Sequence, residues 1–283
     1  TAIAVSPDGQ KIIAGQGNGT VYLWDKSGKQ LKTWAAHENK VTAISFSKNG
    51  QTLATAGEDA LARVWTITGN KLGELKHPQI KKMLGVSLSP DGQFVATASD
   101  DNRARIWTVN GQELRQLEGH QGWVTVVNFS PNGQSIATGS NDGIVKLWNA
   151  KTGEQIQNFR GHRGKVLTAS FSTDGKRLVS AGGDGFVRLW NLADKPVQRL
   201  ELTGFKDDVN AIAFSPDGKT IAGAGDEGVM RLWDAKSGKE LKVWKEAIQR
   251  ISSSKNNVQD IAFSPDGKFI VAGGLNVPIA RVW

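Results

Sequence analysis

Apolar and polar positions alternate along almost the whole chain, in short runs of about six residues separated by turn formers. VTAISF (Val41–Phe46) leads into the turn Ser47–Gly50, then TLATAG, then a run ending ARVW at Trp65. VTVVNF (Val124–Phe129) leads through its own turn into SIATGS and a run ending VKLW at Trp148. A period of two over runs this short is the pattern of β-strands, and it leaves no room for a substantial helix. A further run after each Trp carries two spaced apolar residues: Leu31 and Trp34, Leu72 and Leu75, Leu114 and Leu117, Ile156 and Phe159, Leu241 and Trp244.

The runs recur at a fixed step. Trp24, Trp65, Trp107, Trp148, Trp190, Trp233 and Trp283 lie 41, 42, 41, 42, 43 and 50 residues apart. The turn Ser6–Gly9 (SPDG) keeps the same step, returning at Ser47, Ser89, Ser130, Ser172, Ser215 and Ser264. Proline presets φ in such a turn, and Asp-Gly or Asn-Gly tolerates the positive φ of a tight hairpin. Four strands in each repeat make one propeller blade. The expectation is therefore an all-β fold, a seven-bladed β-propeller of four-stranded antiparallel blades in a single domain, 1–283. Blades are expected at about 1–35, 36–76, 77–118, 119–160, 161–203, 204–245 and 246–283, the seventh lacking its outer strand. Sequence before Thr1 or after Trp283 is expected to supply that strand; without it the edge stays open for pairing.

These repeats resemble the WD-repeat family over essentially the whole chain. Its signature dipeptides stand at Gly119-His120, Gly161-His162, Trp24-Asp25 and Trp233-Asp234, relaxing elsewhere to Ala36-His37 and to Trp followed by Thr or Asn. The resemblance implies a structural hydrogen-bonded tetrad in three blades: His37, Thr55, Asp59 and Trp65; His120, Thr138, Asp142 and Trp148; His162, Ser180, Asp184 and Trp190. An Asp would orient the imidazole, the imidazole pair with the hydroxyl, and the hydroxyl meet the indole N–H, so each buried polar group has a partner. His77 lies two residues further from Trp107 than its counterparts lie from theirs, which breaks the set with Thr97 and Asp101. The sixth repeat has Phe205, Gly223 and Glu227 around Trp233, and the seventh keeps only Trp283. The last two blades are expected to rest on apolar packing and to be the softest.

His, hydroxyl and Asp at fixed spacing also resemble a nucleophilic triad, but an enzyme needs one site and this set recurs in three blades. Each full set holds one His and no HExxH motif exists, so no metal or other cofactor is expected. The chain has no cysteine, which excludes disulfides and thiolate chemistry within it and fits a reducing, cytoplasmic setting. No apolar run is long enough to span a membrane.

A net charge of +8 raises the question of nucleic acid. Six of the seven residues two places before each repeat Trp are basic: Arg63, Arg105, Lys146, Arg188, Arg231 and Arg281, against Tyr22. Long stems along apolar surface with heads in water would account for most of the charge. The remaining candidates sit on the loops leading into each blade, which should share one rim with the tetrad aspartates. Lys40, Lys82, Trp123, Arg163 and Lys165 are the expected partner-binding residues, on a rim that leans basic around blades two to five. Trp123 takes a slot filled elsewhere by Lys40, Lys165, Asp208 and Asn257, so it is expected to face solvent and anchor a partner. Trp34 and Trp244 share a slot with Leu75, Leu117 and Phe159 and read as packing residues. The stretch between Trp244 and Val258 is longer than its counterparts and reads as a protruding Ser-rich, basic loop on the same rim.

The functional expectation is a non-catalytic protein-interaction scaffold or sensor. Regular SPDG repeats look like the C-terminal propellers of large bacterial signalling proteins, so flanking domains are expected. The alternative is binding of nucleic acid or another anionic surface through the basic rim, with steep salt dependence.

Overall fold

The computed structural model describes residues 2–77, 79–193, 199–245 and 257–274, and the backbone of 281–282. Within them every regular element is a strand, and each sheet is antiparallel with its strands in chain order, from inner to outer. The first blade is Ala2–Val5, Lys11–Gly15, Thr20–Asp25 and Gln30–Ala35; the second is Val41–Phe46, Thr52–Gly57, Leu61–Thr66 and Lys71–Lys76. The third is Met83–Leu88, Phe94–Ser99, Ala104–Thr108 and Glu113–Leu117; the fourth is Val124–Phe129, Ser135–Ser140, Ile144–Asn149 and Gln155–Arg160. The fifth is Val166–Phe171, Arg177–Gly182, Val187–Asn191 and Arg199–Leu202; the sixth is Val209–Phe214, Thr220–Gly225, Met230–Asp234 and Glu240–Trp244.

The expected seven-bladed propeller is corrected here, because the described residues build six complete blades and a partial sheet. That sheet has two full strands, Val258–Phe263 and Ile270–Gly274, and a two-residue third, Arg281–Val282. Its third strand makes only the pairings Val271 with Val282 and Ala272 with Arg281. Among the described residues no fourth strand pairs with it. The stretch 246–256, expected as a protruding loop, lies outside the described residues.

The core is a set of seam clusters, each shared by successive sheets. Ala54, Val64 and Leu75 of the second blade pack with Val86, Val95 and Trp107 of the third. Trp65, Trp148, Trp190 and Trp233 likewise lie in clusters with residues of the blade before their own. A blade is apolar on both faces and so depends on a neighbour at each.

The Ser-Pro-Asp-Gly turns form a second ring. Ser6 Oγ donates to Asp8 Oδ1 at 2.5 Å, and that oxygen also accepts the Gln10 N–H at 3.0 Å. The glycines closing these turns have φ between +67° and +71°, which only glycine adopts freely. Gly50 abuts Pro7, Gly133 abuts Pro90, and Gly9 abuts Pro265 of the partial sheet.

The inner strands are stitched by side chains that reach the backbone of the next sheet. Thr42 donates to Met83 O at 2.6 Å, Asn128 to Ala169 O at 2.7 Å, and Asn210 to Val258 O at 3.0 Å. At the seam between the partial sheet and the first blade, Asp260 Oδ2 accepts the Ile3 N–H at 2.7 Å. Burial pushes the Asp260 carboxyl up to about 6. Asp260→Ala, which removes this acceptor, is expected to lower the urea midpoint and speed amide exchange at Ile3. Asp260→Asn keeps an acceptor without the buried charge and is expected to match or exceed wild type in the same measurements above pH 7.

Candidate functional site: the rim above the tetrads

The three tetrads are assembled by strand geometry. The hydroxyl lies on the second strand, two residues from the partner of the indole; Leu53 pairs with Trp65 and Thr55 with Arg63. Trp65 Nε1 donates to Thr55 Oγ1 at 2.9 Å, His37 Nε2 meets the same oxygen at 2.8 Å, and His37 Nδ1 meets Asp59 at 2.9 Å. In the fourth blade Trp148–Thr138, His120–Thr138 and His120–Asp142 are each 2.8 Å. In the fifth, Trp190–Ser180, His162–Ser180 and His162–Asp184 are 2.9, 2.8 and 3.0 Å.

One tautomer satisfies every group. The indole can only donate, so the hydroxyl oxygen accepts from it and gives its own proton to Nε2, leaving the imidazole proton on Nδ1, facing Asp. The carboxylate then fixes the loop above, accepting the backbone N–H of Glu38, Gln121 or Arg163 at 3.2, 2.9 and 3.0 Å. Burial holds all three imidazoles below their ordinary pKa, outweighing the hydrogen bond to Asp. Burial works to raise the three carboxyls, but the hydrogen bonds they accept outweigh it and keep them below the ordinary range.

In the second and fifth blades the arginine two places before the Trp is a fifth member of this network, which corrects the expectation that its head lies in water. Arg63 reaches Asp59 and outer-strand Glu74, both at 2.9 Å. Arg188 reaches Asp184 at 2.7 Å and Glu201 at 3.2 Å, and is only 3% exposed. Lys146 is buried and donates to Gln155 at 2.6 Å. Arg63 and Arg188 thus neutralise acids inside their blades and Lys146 is buried, so these three cations do not present a phosphate surface.

The third and sixth blades fill the tetrad positions differently. Trp107 still donates to Thr97 at 2.8 Å, but His77 meets Arg105 at 3.0 Å, and Arg105 pairs with Asp101. In the sixth blade the Phe205 ring replaces the imidazole, 5.8 Å from Trp233. Gly223 lies against both rings, where a Cβ would sit 3.0 Å from the indole and 3.5 Å from the Phe205 ring.

Above the tetrads, five residues occupy one slot. The carbonyls of Lys40, Lys82, Trp123, Lys165 and Asp208 accept the N–H of Glu58, Asp100, Asn141, Gly183 and Asp226, at 2.8 to 3.3 Å. Their side chains diverge. Trp123 is 47% exposed. Lys82 pairs with Glu58 of the preceding blade at 2.9 Å, and Lys165 with Asp208 of the following blade at 3.1 Å. Lys40 and Arg163 make no ion pair among the described residues. The rim is therefore less basic than its composition indicated, with two of its lysines neutralised across seams. Inside the rim, the inner strands enclose a channel of about 650 Å³ lined by Thr42, Thr125, Asn128, Asn210 and Asp260. No cluster of three metal-ligating side chains occurs among the described residues, and no helix there is long and apolar enough to cross a membrane.

The WD40 family (WD domain, G-beta repeat) matches residues 1–25, 28–66, 69–108, 111–149, 153–191, 195–234 and 245–276. The chain belongs to this family, whose propellers act as protein-interaction scaffolds and are generally non-catalytic. It is 44% identical over 68 residues to pre-mRNA-processing factor 19 homolog 2 of Arabidopsis thaliana, covering 24% of this chain and 13% of that protein. It is 41% identical over 68 residues to target of rapamycin complex subunit wat1 of Schizosaccharomyces pombe, covering 23% and 21%. Identity to the 66 kDa stress protein of Physarum polycephalum is 31% over 70 residues, covering 24% and 12%. The matches thus span a fifth or less of the length of most such relatives.

Thr55→Val strands both an indole N–H and an imidazole nitrogen, and is expected to cost about 2–3 kcal/mol by urea denaturation. Thr97→Val strands the indole alone and is expected to cost less. The imidazoles also give a pH signature. Below the ordinary imidazole pKa of 6.5, the unfolded chain takes up protons that the folded chain refuses. Stability is thus full above about pH 6.5 and falls as the pH drops through that window, with the tetrad aspartates adding to the loss at lower pH. Urea midpoints taken at intervals from about pH 8 to pH 5 are expected to trace this decline.

Proposed function

We infer that this chain is a non-catalytic scaffold or sensor module of a larger signalling protein, gripping a protein partner on the rim above the tetrads with Trp123 as its anchor. The observation that carries this is the Trp123 side chain, 47% exposed at a slot that holds Lys or Asp in the neighbouring blades. Exposing an indole forgoes its burial, and a tryptophan held on a rigid loop binds at little conformational cost. Its loop is rigid because Asp142 accepts the Gln121 N–H and Ser140 Oγ donates to Gly122 O at 2.8 Å. Arg163, exposed on the entry loop of the next blade and without an ion pair among the described residues, offers its guanidinium to a carboxylate of the partner. The name of the wat1 relative describes a subunit of a complex, in keeping with a scaffold role. The ion pairs of Lys82 and Lys165 count against a phosphate-binding rim, because each cation is already balanced.

The test compares wild type with Trp123→Ala and Arg163→Glu for what each retains from a lysate of its native cell. Loss of one defined protein in both variants, with weak dependence on salt, is the expected result. Retention of nucleic acid that salt removes would support the anionic-surface reading instead. Unchanged retention by both variants would overturn the rim assignment.

A further inference from the structure

The seam between the third and fourth blades opens into a cleft of about 440 Å³, on the face opposite Trp123, where the Ser-Pro-Asp-Gly turns lie. Pro90, Phe94 and Leu114 of the third blade and Phe129, Gly133 and Ala150 of the fourth line it. Phe94 is 37% exposed, the first residue of a second strand whose other members are buried. That volume suits one large side chain and part of its neighbours.

The repeat itself shows what a closed version of this seam looks like. Between the fifth and sixth blades, the residue in the Phe94 position is Arg177, which also begins its strand opposite the residue after the repeat Trp. Arg177 crosses the seam and donates to Gly218 O at 2.7 Å and to Ala235 O at 3.0 Å, its guanidinium 5.4 Å from the Phe214 ring. Gly218, Ala235 and Phe214 correspond to Gly133, Ala150 and Phe129. The fifth blade therefore fills its own cleft, and the third, with Phe94, leaves the same space open.

The charge at the cleft sits on its lip. Arg115, on the outer strand, takes the position that Leu200 holds in the fifth blade. Its Nε donates to Lys151 O at 3.2 Å and its Nη1 to Leu114 O at 2.8 Å, which holds the guanidinium at the opening. Arg115 and Lys151 are exposed and make no ion pair among the described residues. Asp91, the acid at the cleft, already accepts from Ser89 Oγ and the Gln93 N–H. Two cations against the one carboxylate of Asp91 leave the lip of this apolar cleft with a net positive charge, which favours an apolar anchor flanked by carboxylates.

We propose that this cleft is a second docking site, taking an acidic peptide segment of a protein partner that inserts one aromatic or large aliphatic side chain between the third and fourth blades. The site is separate from the rim, and the chain would then hold two partners on opposite faces. The test titrates the methyl-labelled chain with two acetylated, amidated tripeptides, Asp-Trp-Asp and Lys-Trp-Lys, and follows the Leu114 and Ile106 methyl resonances. Saturable shifts with the acidic peptide, and at least about tenfold weaker binding of the basic one, are expected. Arg115→Glu, a change at an exposed position, is expected to weaken the acidic peptide by about tenfold or more. Phe94→Arg, which copies the closed seam, is expected to abolish the shifts, while Trp123→Ala leaves them unchanged. Absence of shifts at Leu114 and Ile106, equal binding of both peptides, or full binding by Arg115→Glu would each overturn the proposal. Loss in Trp123→Ala alone would assign the peptide to the rim.

Discussion

Everything in this chain depends on sheets that cannot bury themselves. Each four-stranded blade is apolar on both faces, and in the second to sixth blades the third-strand indole lies in a seam with the blade before it. Tryptophan is the largest side chain available for that purpose, but it brings an N–H that must find an acceptor away from water. The hydroxyl of Thr55, Thr97, Thr138 or Ser180 supplies it. In three blades the chain of donors continues through a histidine to an aspartate, and so out to the loop on the surface. The seam and the rim are thereby coupled, since the carboxylate that orients the imidazole also pins the loop that carries Gln121 or Arg163. Where the imidazole is lost, as in the sixth blade, packing substitutes for hydrogen bonding and the loop is held differently, by Glu227 accepting the Lys206 N–H.

The two faces of the disc follow from this construction and differ in kind. One carries the loops that the tetrads fix, so side chains there are presented on a rigid frame and their identity is free to vary: lysine, aspartate or tryptophan at one slot. The other carries the Ser-Pro-Asp-Gly turns, whose glycines pack against the residues of the neighbouring turn and leave little freedom of sequence. Variation on that face is pushed outward to the seams, where Phe94 and Arg177 solve the same position in opposite ways. A ring of near-identical blades thus becomes specific through a few departures from its own repeat, and both candidate surfaces were located by such departures.

Most of the architecture was legible without coordinates because its determinants lie within one repeat. The alternation, the turn chemistry and the step between tryptophans specify strands and hairpins locally. His120, Thr138, Asp142 and Trp148 could be singled out together because their spacing repeats in two other blades. Trp123 stood out by the same logic, as an odd member of a regular slot. The basic residues before each Trp were misjudged. Alternation shows which face of a strand a residue takes, but not whether Arg188 meets water or Glu201 on the adjoining outer strand.

What only the tertiary structure decided lies between repeats. Glu58 with Lys82, Lys165 with Asp208, Asp260 with Ile3, and Arg177 with two carbonyls of the sixth blade are contacts across seams, and no spacing along the chain announces them. The extent of the last sheet belongs here as well, since a Trp at the right step marks a third strand but not how many of its residues pair, here Arg281 and Val282 among the described residues. The sequence by itself determined the strand, the turn, the tetrad composition and the family, because those are short-range consequences of side-chain period and backbone preference. The charge balance of the rim, the closing of the ring and the open cleft beside Phe94 were decided by how blades meet, where a side chain's environment comes from residues 24 to 257 positions away.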